Sequence, residues 1–304
     1  MNPVRQYSAK KPARFRIDFF ILADHKSYII HHIDVYQGKN APNIGIHESI
    51  KTCPTTIKAV LNSVIACRLD ESPYGARHIT LDNRYQSPLL CFVLRERYGI
   101  LSTGTCRINR IGWDNKIMTL KKSQQRGDSL FAYDDIRRIM TVQWNDSKVV
   151  NLVSSVIDNS MTTVSRQQGR RKLDYPCPTV MTKYHREMGG VDKADQHRAA
   201  GGGFALKAHY KKWYKKGYFA LLDCMLLNAW LGWNISCQQI PNRWELRRHE
   251  FYTYVAERML NFKDDRGYCS RQQAPSPETI RLQHGYYTHA MPKEEARSSQ
   301  MPCL

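Results

Sequence analysis

The chain has 304 residues, enough for one large domain or two modest ones, and its 42% hydrophobic and 11% aromatic content argues for a buried core and against a disordered chain. A formal net charge of +19 points to a polyanionic partner, because each phosphate neutralised releases counterions. No segment combines polybasic and lipid-anchor features, and the nine cysteines are scattered without a CxxC pair, so the composition speaks against a membrane partner, a disulfide framework and a zinc site, and for reduced thiols in an intracellular protein.

The first residues, MNPVRQYSAKKPARFR, are basic without an apolar core and do not make a secretory signal. Phe19–Ala23 and Tyr28–Tyr36 are apolar runs around the polar Asp24-His25-Lys26-Ser27, which predicts a β-hairpin. Residues 38–45 read as a loop. The spacing of Ile57, Val60, Leu61, Val64 and Ile65 predicts a helix over 54–68 with proline at its start. His78–Leu81 reads as a strand ending on Asp82, Pro88–Tyr98 as a helix stopped by Gly99, and Ile100–Arg107 as another strand. Short strand-like pieces follow at 129–133, 139–144 and 149–156; Arg166–Arg171 reads as a polar, basic loop, and Pro176 and Pro178 as a break. The long apolar run Gly217–Trp233 is interrupted by Asp223 and Asn228, so it reads as a buried helix and not a membrane span. One more helix is expected near 244–262, and 266–304 is polar and proline-bearing, expected to be poorly ordered.

The chemistry-bearing residues are acidic. Asp192 and Asp195, in GGVDKADQ, fall on one face if the segment is helical. Asp24 and Asp82 each end a strand. Carboxylates are hard ligands for a divalent cation, and two such ions can clamp an in-line displacement at phosphorus. Aspartates at strand ends are also common turn residues, so spacing alone is a weak signal. Asp34 is a rival first carboxylate, ranked second because it lies inside its strand. Lys207, Lys211, Lys212, Lys215 and Lys216 cluster at the head of the long helix, where Lys211, Lys212, Lys215 and Lys216 make one broad basic face for DNA phosphates. Trp213, Tyr214 and Tyr218 read as core, with base stacking the lesser reading; Arg107, Arg110, Arg166, Arg170 and Arg171 rank below the lysines. The histidines show no HExxH pair, and Gly201-Gly202-Gly203 lacks the context of a phosphate loop.

Four segments in order resemble the piggyBac-type transposases and their domesticated derivatives: KPARFRIDFFILADHKSYIIHHIDVYQGKN, HITLDNRYQSPLLCFVLRERYGILSTGTCRINR, GGVDKADQ and HYKKWYKKGYFALLDCMLLNAW. The resemblance runs from about Lys11 to Phe262. It implies an α/β, ribonuclease H-like catalytic core with an inserted β-rich domain and a helical C-terminal section. It divides the chain into a basic leader at 1–13, the first part of the core at 14–109, the insertion at 110–178, and the last part of the core at 179–200. A helical, basic section for DNA binding or dimerisation follows at 201–265, and a tail at 266–304.

The resemblance further implies Asp24, Asp82 and Asp192 as catalytic carboxylates, with Asp195 joining them in binding Mg²⁺ or Mn²⁺. It implies DNA as substrate, a nuclear location, a homodimer among the states open to the chain, and no small-molecule substrate. The sequence departs from the family pattern at Arg84, where an aromatic is usual, and at Ala199–Ala208. It begins almost at the catalytic core, as expected of a copy shortened at its N-terminus, and the cysteine-rich module often found at the family's C-terminus is not expected. Three readings are open: a metal-dependent transposase or nuclease core, a domesticated transposase-derived DNA-binding protein without catalysis, and an inert relic.

Overall fold

The structure, a computed structural model, describes residues 4–7, 9, 15–38, 44–121, 123–200, 203–207, 210, 212–239 and 245–260. The expected tail at 266–304 and most of the expected loop at 38–45 lie outside the described residues. Two compact units divide the chain, Met1–Leu231 and Gly232–Leu304.

The first unit opens with a short antiparallel pair, β1 (Arg5–Tyr7) and β2 (Phe15–Ile17). β3 (Phe19–Ala23) and β4 (Ile30–Val35) form the expected hairpin, with an irregularity in register between Leu22 and Ala23. Helix α1 (Thr55–Ala66) follows Pro54. β5 (His78–Leu81) leads into α2 (Pro88–Tyr98), whose start is capped by Ser87: its hydroxyl accepts the Leu90 N–H at 3.1 Å. Gly99 ends α2 at φ +64, a conformation glycine adopts without a Cβ penalty. The chain then returns parallel to β5 as β6 (Leu101–Thr105).

β7 (Ser129–Asp134), β8 (Ile139–Asn145) and β9 (Val149–Ser154) join the same sheet, in the order β5-β6-β9-β8-β7, with only β5 and β6 parallel. The chain is therefore mixed α/β around a five-stranded mixed sheet. Most of the strand residues expected within 110–178 thus extend the sheet that β5 and β6 begin. The reason is visible in β8. Met140, Val142 and Trp144 point to one face, where they meet Val180, Met181 and Tyr184 of α3 (Thr179–Glu187). Ile139 points to the other, among Cys91 of α2, Trp113 and Met118. A strand buried on both faces needs cover on each. A further cluster joins α1, α2 and β5 through Val64, Leu90, Leu94 and Ile79.

Arg166–Arg171, expected as a loop, is instead the tip of a long hairpin outside the sheet, β10 (Met161–Gln168) and β11 (Arg171–Pro178). Gly169, at φ +61, makes the two-residue turn feasible. The strands escaped sequence reading because their outer halves are exposed on both faces and carry no apolar alternation. Pro176 sits within β11 and does not break it.

After α3 come α4 (Gly190–Ala200), α5 (Phe204–Lys207) and the 27-residue α6 (Trp213–Gln239). Asp223 and Asn228, the two polar interruptions of the apolar run, are docking points. The buried Asp223 carboxylate accepts the backbone N–H groups of Phe204 at 2.9 Å and Ala205 at 3.0 Å, so it caps α5. Gly203 makes room for it, since a Cβ there would lie 2.5 Å from Asp223 Oδ2. Asn228 bonds Ile30 as a strand would: Oδ1 accepts the Ile30 N–H at 2.9 Å and Nδ2 donates to its carbonyl at 2.7 Å. Ala194 of α4 is buried with Ile30, Cys224 and Leu227, so α4 packs with the β3–β4 hairpin and α6.

In the second unit α7 (Arg248–Leu260) sets Phe251 and Tyr254 against Trp233, with ring centroids 6.0 and 5.7 Å away. Asn234 repeats the amide device on Leu246, donating to its carbonyl at 3.2 Å and accepting its N–H at 3.1 Å. Among the described residues no helix is long and apolar enough to cross a membrane.

Candidate active site

β3 ends where Asp24 turns the chain. Its Oδ1 accepts the N–H of Lys26 at 2.9 Å, the N–H of Ser27 at 2.6 Å and the Ser27 hydroxyl at 2.9 Å, while its carbonyl accepts the Tyr28 N–H at 3.0 Å. Burial opposes the charged carboxylate, but the donations from Ser27 and Lys26 outweigh it, and the Asp24 pKa lies below its ordinary value. One oxygen thus builds the turn, and Oδ2 has no partner among the described residues.

Asp82 uses the same device after β5. Its Oδ1 accepts the Arg84 N–H at 2.8 Å, and its carbonyl accepts the N–H groups of Tyr85 and Gln86 at 3.2 and 3.0 Å. The end of β5 sits tightly on β6 because residue 104 is glycine: a Cβ there would lie 2.2 Å from the Leu81 carbonyl oxygen. Arg84 folds back over the rings of Phe20 and Tyr85, 5.5 and 5.8 Å from their centroids, and reaches Asp18 at 3.7 Å. An aromatic would fill that place with its ring; here a guanidinium does so and adds charge. Arg107 and Arg110, ranked low from sequence, lie against this turn. Arg110 donates to the Arg84 carbonyl at 2.5 Å, and Arg107 to Asn83 Oδ1 at 3.4 Å.

The third acidic segment is tied to both strand ends. Glu187, the last residue of α3, accepts the Thr80 hydroxyl of β5 at 3.0 Å and lies 3.5 Å from His78. Three residues on, Gly190 opens α4 against the Asp24 turn: a Cβ at 190 would stand 3.1 Å from His25 Cα and 3.4 Å from the Asp24 carbonyl oxygen. The glycine therefore lets the head of α4 approach the end of β3. Asp192 is exposed in the first turn of α4, where an acidic side chain complements the helix dipole. Asp195, one turn on, is held by Arg198 at 2.6 Å. Burial, with charge from His25 and Lys183, lowers the His78 pKa against the pull of Glu187.

Gly190 thus brings the Asp192 segment to Asp24, and Glu187 ties it to the strand that ends on Asp82. Asp34 is elsewhere: it lies opposite Phe20 in the hairpin register, and its carboxylate accepts the Asn62 amide of α1 at 3.3 Å. Among the described residues no group of three or more His, Cys, Asp or Glu side chains is placed to hold one metal ion. By kind the donors suit a hard cation, since Asp24 Oδ2, Asp82 Oδ2 and the Asp192 carboxylate have no hydrogen-bond or ion-pair partner among the described residues.

The lysine set is only partly described. Lys211 and the side chain of Lys207 lie outside the described residues. Lys215 and Lys216 are exposed on the first turn of α6, and Lys212, also exposed, precedes that helix instead of sharing a face of it. Tyr214 and Tyr218, expected in the core, are 49% and 64% exposed.

The arrangement is a mixed α/β fold with aspartates at two strand ends and a glycine-led helix folded onto one of them, and known proteins match the chain. The family model described as Transposase IS4 matches residues 2–230, and the chain belongs to this piggyBac-type transposase family. The human PiggyBac transposable element-derived protein 2 is 30% identical over 178 residues, covering 56% of this chain and 29% of that protein. The human PiggyBac transposable element-derived protein 3 is 31% identical over 232 residues, covering 74% of this chain and 37% of that protein. The chain thus spans about a third of the length of the curated relatives it matches. A piggyBac transposase, solved by cryo-electron microscopy in a synaptic complex with hairpin DNA, superposes with a TM-score of 0.68 at 19% identity, covering 98% of this chain and 56% of that one. That likeness is one of fold.

Proposed function

We propose that this chain carries a ribonuclease H-like DDE core that cuts and joins DNA strands with a divalent cation, Asp24, Asp82 and Asp192 being its catalytic carboxylates. The observation that carries the reading is the contact of Gly190 with the Asp24 turn, which puts the head of the GGVDKADQ helix at the end of β3. The hairpin β3–β4 and the strands β5 and β6 would supply the core, with residues 110–178 as its β-rich insertion, whose strands β7–β9 continue the β5–β6 sheet. DNA is the substrate that fits the charge of +19 and the family, and a nuclear location follows from that substrate.

Magnesium usually takes one or two protein carboxylates and completes its shell with water and phosphate oxygens. The free oxygens of Asp24, Asp82 and Asp192 would hold Mg²⁺ or Mn²⁺ together with the substrate. When bound, the ion supplies charge stabilisation at the reacting phosphate. The chain's own residues do the positioning. Ser27 and the turn amides fix the Asp24 carboxylate, the Arg84 amide fixes Asp82, and Gly190 sets the approach of Asp192. Arg107 and Arg110 offer positive charge beside Asp82 for a phosphate. Lys212, Lys215 and Lys216, with Lys207 and Lys211, would hold the flanking backbone.

The deciding experiment is nicking of supercoiled DNA with Mg²⁺, Mn²⁺ or chelator, in the wild type and Asp82→Asn. The amide keeps the shape and weakens cation binding, so metal-dependent nicking should fall by roughly 100-fold or more, which corresponds to several kcal/mol of transition-state stabilisation. Unchanged nicking in the variant would overturn the assignment. A second reading, a domesticated DNA-binding protein without catalysis, draws on the Asp195–Arg198 pair, which engages one of the four acidic groups. DNA binding without any metal-dependent nicking would favour it.

A further inference from the structure

The β10–β11 hairpin has an unusual division of labour along its length. Its base is locked. Cys177 is fully buried, the Trp144 indole N–H donates to the Pro176 carbonyl at 2.9 Å, and Thr179 N–H bonds the Ser160 carbonyl at 2.9 Å. Asp146 of the sheet rim clamps both flanks, taking Arg166 at 3.1 Å as well as Arg126, whose guanidinium lies 5.0 Å from the Tyr175 ring centroid. Beyond that clamp no described residue covers it: Gln167, Gln168, Arg170, Arg171, Lys172 and Leu173 are all exposed. The register pairs Gln168 with Arg171 and Gln167 with Lys172, and paired residues share a face. Each face of the tip therefore carries one cation beside one amide. The side chains of Arg170, Arg171 and Lys172 have no hydrogen-bond or ion-pair partner among the described residues. The one carboxylate of the ribbon, Asp174, is engaged by the Ser165 hydroxyl at 2.5 Å.

From this geometry we infer that the β10–β11 hairpin is a second DNA contact, a ribbon that lays its Arg170-Arg171-Lys172 tip into the major groove of duplex DNA. The dimensions fit. Two paired strands are about 4.8 Å apart, and a major groove about 12 Å wide and 8.5 Å deep admits a two-stranded ribbon. The four residue pairs from Ser165–Asp174 to the turn extend about 13 Å, enough to reach the groove floor while the base stays on the sheet. Arginine and lysine contact phosphates and guanine edges, and glutamine pairs with adenine edges, so the tip carries groups for both positioning and readout. A locked base matters because a ribbon fixed in advance loses little conformational entropy on binding.

The inference shares its ligand with the proposed function but not its carboxylates, so it is tested without catalysis. Binding of a labelled mixed-sequence duplex is followed by fluorescence anisotropy over a salt series. The full chain is compared with Arg170→Ala/Arg171→Ala/Lys172→Ala and with a charge-matched variant, Lys116→Ala/Lys121→Ala/Lys148→Ala, drawn from exposed residues elsewhere. The tip variant should bind at least ~10-fold more weakly, with a salt slope shallower by about 0.9 log units for each phosphate it no longer neutralises, while the matched variant changes little. A single-stranded probe of equal length should be less affected by the tip substitutions, because it has no groove. An unchanged duplex slope in the tip variant, or equal losses in both charge variants, overturns the inference. Equal losses on duplex and single strand overturn groove insertion. Failure of the wild type to bind duplex overturns both this site and the proposed substrate, whereas absent nicking with a normal tip effect overturns only the catalytic reading.

Discussion

Two regions of the first unit are held together in different ways. The five-stranded sheet is an apolar construction: β8 buries Met140, Val142 and Trp144 under α3, and β6 is pressed onto β5 by the absence of a side chain at Gly104. The β3–β4 hairpin with α4 and α6 is joined as much by polar side chains that complete backbone hydrogen bonds, Asp223 on α5 and Asn228 on β4. Buried polar contacts are costly when one partner is removed and specific in direction when satisfied. The first region therefore resists deformation in general, while the second depends on a few atoms. The candidate site spans both, since Asp82 belongs to the sheet and Asp24 and Asp192 to the hairpin and α4.

The sharpest way to break the sheet is Gly104→Ala. The new Cβ would meet backbone, the Leu81 carbonyl oxygen at 2.2 Å, which cannot swing aside. A loss of about 3 kcal/mol or more is expected, toward the upper end of overpacking effects, read as a lower urea midpoint with little change in m. A loss under about 0.5 kcal/mol would show that β5 shifts freely and that Gly104 does not hold the end of β5 on β6.

The hairpin region should fail through Asp223. Asp223→Ala leaves the Phe204 and Ala205 N–H groups unpaired and should cost about 2 kcal/mol, within the range for buried donors left unsatisfied. Asn228→Ala should behave alike, because it strips both backbone groups of Ile30 of their partner. Hydrogen exchange would tell the two apart from a global effect: the Ile30 amide should lose protection in Asn228→Ala and keep it in Asp223→Ala.

Gly190→Ala lies at the seam of the two regions. Its Cβ would stand 3.1 Å from His25 Cα, so the head of α4 must move a few tenths of an ångström. Stability should change by less than about 1 kcal/mol, while metal-dependent nicking should fall by roughly 10-fold or more, since small misplacements at a reacting centre are costly. Equal nicking in the variant and wild type would separate Gly190 from the site.

The smallest effects are those of pH. His78 is held neutral by burial below its ordinary value of 6.5, so the unfolded chain binds a proton that the folded chain refuses. Its contribution to stability is therefore complete above about pH 6.5 and declines as the pH falls from there toward its folded value. His78→Gln should flatten the urea midpoint against pH across that window. For Asp24, whose folded pKa is depressed, the stabilisation is present above its ordinary value of 3.8 and is lost as the pH falls through the folded one. Ser27→Ala removes a donation to the carboxylate and should raise its pKa, as followed by NMR titration.

Much of the architecture could be read locally. The hairpin around Asp24, the strand ending on Asp82, the helix from Pro88 to Gly99 and the GGVDKADQ helix each announce themselves through alternation, helical spacing, turn residues or caps, all set by neighbours in sequence. The four acidic positions singled out from those motifs include the two strand-end turns and the head of α4. Asp34, the rival to Asp24, lies against α1. The polar interruptions at Asp223 and Asn228 were legible as evidence against a membrane span, but not as docking points, because their partners lie 18 and 198 residues away.

What the sequence determined by itself was the set of local elements, the strong positive charge and the turn chemistry that aims Asp24 and Asp82. Those depend on residues within a few positions of one another. Only the tertiary structure decided that β7, β8 and β9 complete the sheet of β5 and β6, that Arg166–Arg171 is the tip of a ribbon, and that Arg107 and Arg110 lie beside Asp82. Strand pairing is a choice among distant partners, settled by which faces can all be buried together, and no local pattern encodes that choice. The approach of α4 to β3 is of the same kind: a glycine at 190 permits it, but the backbone it makes room for belongs to a turn far away in the chain.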